Sequence, residues 1–224
     1  MEPKAATERL VGAALVMGLL AAVGASVLFT WLGGEVLAGD TEALDLRLRV
    51  ALHQVASPGL TQVMRWASLL GSPWLLVPLG LVLAALFAGR GWRRGALMVV
   101  VMMAGSLILD NSLKRLYGRV RPEPFFDYPL PTSFSFPSGH ALLAVCFFGG
   151  LAVLLAPRLR SPPLRVAVWL IALGLIALIG VSRVYLGVHY PSDVLGGYAA
   201  GTVWVTSVAL GDRLAGRRRA RRAP

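Results

Sequence analysis

The chain has 224 residues, 56% of them hydrophobic and only 15% charged, with a mean hydropathy of +0.68. So few polar residues cannot clothe a water-soluble domain, and the net charge of +11 therefore reads as a membrane-surface signal and not a nucleic-acid one. A single cysteine, Cys146, excludes an intramolecular disulfide framework, and no Cys/His cluster has metal-ligand spacing.

About 20 apolar residues cross a bilayer at 1.5 Å rise each. In chain order six runs approach that demand: 10–32, 66–88, 95–113, 140–156, 166–182 and 194–211. The expectation is an all-α protein, a single six-helix membrane domain over 1–224 with a basic tail at 212–224. Run 10–32 follows Lys4 and Arg9 as a signal peptide would. It exceeds the roughly 7–15 apolar residues of a signal core and is read as a retained span. The next run contains Pro73 and Pro78, which a membrane helix tolerates as kinks.

Between these two runs, segment 33–61 mixes Leu44, Leu46, Leu48, Val50 and Leu52 with charges, as an interfacial helix on the outer surface would. His53 has no evident partner there and is read as a surface residue. Met98, Met102 and Met103 are lipid-facing or packing material, and Cys146 is an apolar filler. Segment 122–136 carries Phe125, Phe126, Tyr128, Phe134 and Phe136, and is read as an interfacial aromatic belt, a lid over a lipid head group, or both.

Basic residues set the orientation. One side receives Lys4, Arg9, Arg90, Arg93, Arg94, Arg158, Arg160, Arg165 and the six arginines from Arg213 onward, against Glu2, Glu8 and Asp212. The other side has as many acids as bases. The whole excess thus falls on one face, which the positive-inside rule makes cytoplasmic, with both termini. The arginines of the tail are then a topology anchor on anionic lipid, and no nucleic-acid partner is implied.

A charge at a helix centre costs about 2.5–3.5 kcal/mol or more, so functional exceptions should cluster. They do. Lys114, Arg115, Arg119 and Arg121 follow the third run; Ser138, Gly139 and His140 open the fourth. Arg183 and His189 follow the fifth, and Asp193 opens the sixth. All fall on the face opposite the arginine excess. Taken singly, the bases could be anchors and the histidines satisfied helix-end groups. Taken together they describe an anion site. Lys114, Arg121 and Arg183 offer fixed charge and multiple donors. Ser138 suits a helix cap, and Gly139 lets a backbone amide approach closely at a helix start that favours negative charge. Pro191 suits a first helical turn, bringing Asp193 within reach of His189 to fix its tautomer. Asp110, four residues before Lys114, either positions that lysine or is a plain helix-end ion pair. Arg115 and Arg119 are read as interfacial anchors or leaving-group contacts.

Lys114-(six residues)-Arg121-Pro122, then Pro137-Ser138-Gly139-His140, then Ser182-Arg183-(five residues)-His189-(three residues)-Asp193 resembles the signature of the type 2 phosphatidic acid phosphatases. That superfamily includes bacterial undecaprenyl-diphosphate phosphatases. The resemblance implies that His189 attacks phosphorus to form a phosphohistidine, oriented by Asp193. His140 protonates the leaving oxygen and then helps activate water. Lys114, Arg121, Ser138, the Gly139 amide and Arg183 hold the phosphoryl oxygens. No cofactor and no metal are implied, the fixed cations doing what magnesium does elsewhere. The implied partners are membrane lipids and a lipid mono- or diphosphate substrate in the cell (inner or plasma) membrane. Undecaprenyl diphosphate is the first choice, with phosphatidic acid or phosphatidylglycerophosphate next. A non-catalytic lipid-binding or transport protein would not need both histidines. Phosphate release by the purified protein should therefore persist in EDTA. A rate that collapses in EDTA and returns with magnesium would refute the metal-free site.

Overall fold

The computed structural model describes the backbone of residues 3–222 and the side chains of residues 16–216. The side chains of Lys4, Arg9 and the arginines between 217 and 222 fall outside that description. No β-strand occurs among the described residues.

Helix α1 (Pro3–Ala38) outlasts the expected first span and stops where Gly39 turns at φ +83°. Segment 33–61 is thus divided among the end of α1, a separate α2 (Glu42–Gln54) and the start of α3 (Pro58–Leu70). The expected second span is not one helix. Helices α3 and α4 (Pro73–Gly89) meet at an angle of 45°. The sequence Gly71-Ser72-Pro73 explains the break. Ser72 Oγ accepts the Leu75 N–H at 3.3 Å as an N-cap, and Pro73 takes the first helical position, where its missing N–H costs nothing. Pro73 therefore starts a helix instead of kinking one, whereas Pro78 does sit inside α4.

Helix α5 (Arg93–Tyr117) ends on Gly118, whose left-handed φ of +59° lets its N–H bond Lys114 O at 2.9 Å. A strand-free segment, 118–138, follows. The fourth span is α6 (Gly139–Ala144), a π turn (Val145–Gly149), α7 (Gly150–Leu155) and a 3-10 turn (Ala156–Arg158) in succession. Helices α8 (Pro162–Tyr185) and α9 (Pro191–Arg222) complete the chain. Five of these spans are each long and apolar enough to cross a membrane, and the bent α3–α4 pair makes six when counted as one.

The fourth span is the centre of the bundle. It is 67% buried over its apolar window, against 11–39% for the other four. Leu142, Leu143, Cys146 and Phe147 from it pack with Met98, Met102 and Met103 of α5, Leu76 of α4 and Ile176 and Ile179 of α8. The three methionines are thus core and not lipid-facing. At one end of the bundle, Arg94 pairs with Asp212 and the Arg158 guanidinium lies 3.4 Å from the Trp92 ring centre. The opposite ends of α5, α6, α8 and α9 converge on the site described next.

Packing without a hydrophobic force between helices depends on close contact. Met102 is 1% exposed, and its carbonyl accepts the Trp204 Nε1–H at 3.2 Å. Met102→Ala should cost about 2–5 kcal/mol, and the volume-conserving Met102→Leu under about 1.5 kcal/mol. Thermal midpoints in detergent would show the larger drop for alanine.

Candidate active site

Because α5, the fourth span, α8 and α9 alternate in direction, the C-terminal ends of α5 and α8 face the N-terminal ends of α6 and α9. Lys114 is in the last turn of α5, Arg183 in that of α8, and Asp193 in the first turn of α9. Gly139 opens α6. Lys114, Arg121, Gly139, His140, Arg183 and His189 line one cavity of about 200 Å³.

His189 is held from both sides. Its Nδ1 lies 3.2 Å from Asp193 Oδ2, and Arg121 Nη1 lies 3.0 Å from its Nε2. A carboxylate can only accept and a guanidinium can only donate. Nδ1 therefore carries the proton and Nε2 keeps its lone pair. Asp193 is the N3 residue of α9, and its Oδ2 also accepts the Tyr190 N–H at 2.9 Å, the backward half of a capping box. Ser135 Oγ donates to the same oxygen. Between Arg183 and His189 the chain turns at Gly187, φ +79°, where a Cβ would fall 2.5 Å from Phe125 N. Only glycine fits that turn.

Arg121 is fixed by carbonyls: Ser133 O at 2.6 Å, Val188 O at 2.8 Å and Phe134 O at 3.0 Å. Segment 122–136 thus arches over the site and grips its arginine, while Phe136 tucks against Phe29 and Tyr117. Lys114 Nζ donates to Asp110 Oδ2 at 2.9 Å. A Cβ on Gly139 would lie 2.6 Å from Asp110 Oδ1, so glycine is what lets the start of α6 meet that carboxylate. Arg183 Nη1 reaches Ser68 Oγ, and Tyr128 Oη at 3.4 Å.

Ser138 makes no side-chain cap bond, contrary to its expected capping role. Its backbone N–H instead donates to Asp193 O at 2.9 Å, because α9 lies against the start of α6. Ser138 Oγ, Asp110 Oδ1 and Arg183 Nε, together with Arg49 Nε outside this cavity, are buried without a hydrogen-bond partner within the chain.

Two further readings are corrected. Arg119 is no interfacial anchor. It is half-buried, bridging Asp193 Oδ1 and Asp45 Oδ2 at 2.8 Å each. Arg115 is exposed, as an anchor would be. His53 does have a partner, stacking on Phe125 with ring centres 4.1 Å apart. Sequence reasoning missed Asp45, Ser135, Ser68 and Tyr128. Arg119 alone gave a signal, as one more arginine on the face where the charge rule disfavours them.

Electrostatics follow from burial among cations. Burial, and secondly the charge of Arg183, bring Arg121 down to about 10, so it stays charged at neutral pH. Burial also opposes charge on Arg119, but the Asp193 and Asp45 carboxylates outweigh it and hold that guanidinium above its ordinary range. His189 is pushed down to about 3 by burial, against the pull of Asp193. It is neutral across the physiological range.

An all-helical membrane bundle with this histidine and arginine cluster defines a phosphoryl-handling class. A profile of the PAP2 superfamily matches residues 95–214, and the chain belongs to that superfamily. It is similar to phosphatidylglycerophosphatase B of Bacillus subtilis, 35% identical over 77% of this chain and 85% of that protein. It is also similar to the undecaprenyl-diphosphatase of Sulfolobus acidocaldarius, 29% identical over 83% of this chain and 84% of that one. The crystal structure of the transmembrane PAP2-type phosphatidylglycerolphosphate phosphatase from B. subtilis superposes with a TM-score of 0.78 at 31% identity, covering 88% of this chain and 97% of that one. The protein is a phosphatase of the PAP2 type.

The depressed pKa of His189 has a stability consequence. Between about 3 and the ordinary 6.5, the unfolded chain takes up a proton that the folded chain refuses. Folding should therefore weaken as pH falls through that window. His189→Gln should flatten the dependence of the thermal midpoint on pH between 6.5 and 4, and an unchanged slope would count against a buried neutral His189.

Proposed function

We propose that the protein hydrolyses a lipid phosphate through a phosphohistidine on His189. The observation that carries this reading is the lone pair on Nε2, held by Asp193 at the other nitrogen, in the same cavity as His140 and three cations. Nε2 attacks phosphorus as the P–O bond to the lipid breaks, and His140 gives its proton to the leaving oxygen. Asp193 balances the charge that His189 acquires. His140 then takes a proton from water, which attacks phosphorus, breaks the N–P bond and releases inorganic phosphate. Lys114, Arg121 and Arg183 carry the phosphoryl oxygens, with Ser138 and the Gly139 N–H completing the cradle. Phosphomonoester hydrolysis can demand rate enhancement near 10²¹, about 28 kcal/mol of barrier lowering. Fixed charges in a water-poor site are the largest available source of it.

A second cavity, of about 700 Å³, supports a lipid substrate. It shares His140 and Arg183 with the first and runs out past Ser68, Leu69 and Tyr128 to Trp66 and Trp74, the last 91% exposed. The groove lies along the break between α3 and α4. A lipid chain can lie there in the bilayer while its leaving oxygen faces His140. The site end lies opposite Arg94, Arg158 and Asp212, which supports an outer-leaflet site with cytoplasmic termini. Undecaprenyl diphosphate and phosphatidylglycerophosphate both suit this groove. The likeness to the B. subtilis phosphatidylglycerophosphatase moves the second ahead of the first.

The test is phosphate release in detergent from phosphatidylglycerophosphate, undecaprenyl diphosphate and phosphatidic acid. Phosphatidylglycerophosphate should be fastest, and His189→Ala should abolish release from all three. His140→Ala should cost about 10²–10⁴-fold, the range for a lost general acid. Fastest release from undecaprenyl diphosphate would reverse the substrate order, and full activity in His189→Ala would end the phosphohistidine reading.

A further inference from the structure

We infer that Asp45 and Arg119 form a positioning pair that holds the His189–Asp193 stretch in register and keeps a net negative charge behind the nucleophile. This rests on the proposed role of His189 but assigns residues that the signature motifs do not contain.

Arg119 grips the stretch at three points. Its Nη1 donates to Asp193 Oδ1 at 2.8 Å and to Ser192 Oγ at 2.7 Å, and its guanidinium lies 4.1 Å from the Tyr190 ring centre. Its other nitrogen, Nη2, donates to Asp45 Oδ2 at 2.8 Å and Thr41 Oγ1 at 3.1 Å. Asp45, 2% exposed, also takes the Ser192 N–H at 2.9 Å on Oδ1 and the Ser192 hydroxyl at 2.5 Å on Oδ2. One planar fork thus bridges two carboxylates, a geometry that lysine cannot reproduce. Asp45 comes from α2, so this short helix is fastened to the first turn of α9 beside the nucleophile.

The charge count gives the pair its purpose. Arg119 alone would neutralise Asp193, leaving it little with which to stabilise the imidazolium formed when His189 is phosphorylated. Asp45 takes up that positive charge, so Asp45, Arg119 and Asp193 taken as a hydrogen-bonded group sum to one negative charge beside Nδ1, opposed from farther off by the buried Arg49 guanidinium, 5.4 Å from the Tyr190 ring centre. A structural clamp without this function would need the hydrogen bonds but not the second carboxylate. The isosteric Asp45→Asn removes the charge and keeps one acceptor, enough for the Ser192 N–H, while its amide NH2 faces the Ser192 hydroxyl and the Arg119 fork.

The full-length protein in detergent would be compared as wild type, Asp45→Asn, Arg119→Lys, Arg119→Gln and the Asp45→Asn/Arg119→Gln double variant, with His189→Gln as control. The substrate is the fastest of the three lipid phosphates above. Asp45→Asn should lower kcat about tenfold with KM within about twofold, and Arg119→Gln about a hundredfold, the scale of a misplaced reacting group. The double variant should lose less than the two single losses combined, because the charge of Asp45 acts through Arg119 while its bonds to Ser192 act directly. Arg119→Lys should recover only part of the loss.

A second readout does not need turnover. The chain has three histidines, so ¹⁵N-histidine labelling resolves each ring. Wild-type His189 should carry its proton on Nδ1, and Arg119→Gln should give a mixture of tautomers, with Asp45→Asn in between. Wild-type kcat in Asp45→Asn, or an unchanged His189 tautomer in both variants, would overturn the pairing. If Arg119→Gln fails to fold, Asp45→Asn decides by the same two readouts. Activity surviving in His189→Gln would instead sink the nucleophile reading, and the tautomer comparison would still test whether the pair fixes the ring.

Discussion

A carboxylate sealed from water, that of Asp193, ties this site together. An unpaired buried charge is expensive, and both oxygens of this one are hydrogen-bonded. Its side chain receives the imidazole of His189, the hydroxyl of Ser135, the backbone of Tyr190 and the guanidinium of Arg119. Its own carbonyl receives the N–H of Ser138. Those partners come from the loop after α5, the start of α6, and the turn between α8 and α9. Desolvation of a single acid therefore forces the separate motifs into one place, and the tautomer of His189 comes from the same bonds that satisfy the charge.

The cations pose the opposite problem. Lys114, Arg121 and Arg183 are gathered where mutual repulsion and burial both disfavour them. Each is held by a different device: an i,i+4 carboxylate for Lys114, backbone carbonyls of the arching segment for Arg121, and the hydroxyls of Ser68 and Tyr128 for Arg183. Carbonyls and hydroxyls satisfy donors without cancelling charge. A positive field is thus preserved in the cavity, which a set of salt bridges would have neutralised. Asp110 is the exception, and Gly139 is what admits it beside α6.

The break between α3 and α4 joins this polar chamber to the bilayer. Capping at Ser72 and Pro73 ends one helix and begins another, and the groove beside the break leads from exposed tryptophans to His140 and Arg183. The small chamber has Lys114, Arg121, Gly139, His140, Arg183 and His189 in its lining, whereas the groove shares only His140 and Arg183 of these and adds residues of α3, α4 and segment 127–131.

The all-helical membrane character and the placement of all eight expected site residues near four helix ends were legible in the chain itself. Hydropathy over about 20 residues and strict motif spacing are local quantities, and local quantities survive without coordinates. The second span's break could have been read from Gly71-Ser72-Pro73, whose cap chemistry outweighs continuous hydrophobicity. Asp45 could not. It lies 74 residues from Arg119 and 147 from Ser192, and nothing in its neighbourhood distinguishes it from the other charges of an interfacial helix. The direction of the Ser138 amide, the partners of Arg183 and the bridging of two carboxylates by Arg119 were likewise decided only by tertiary packing. A buried polar group takes whichever partner the fold brings within 3 Å, and that choice is made in space, not along the chain.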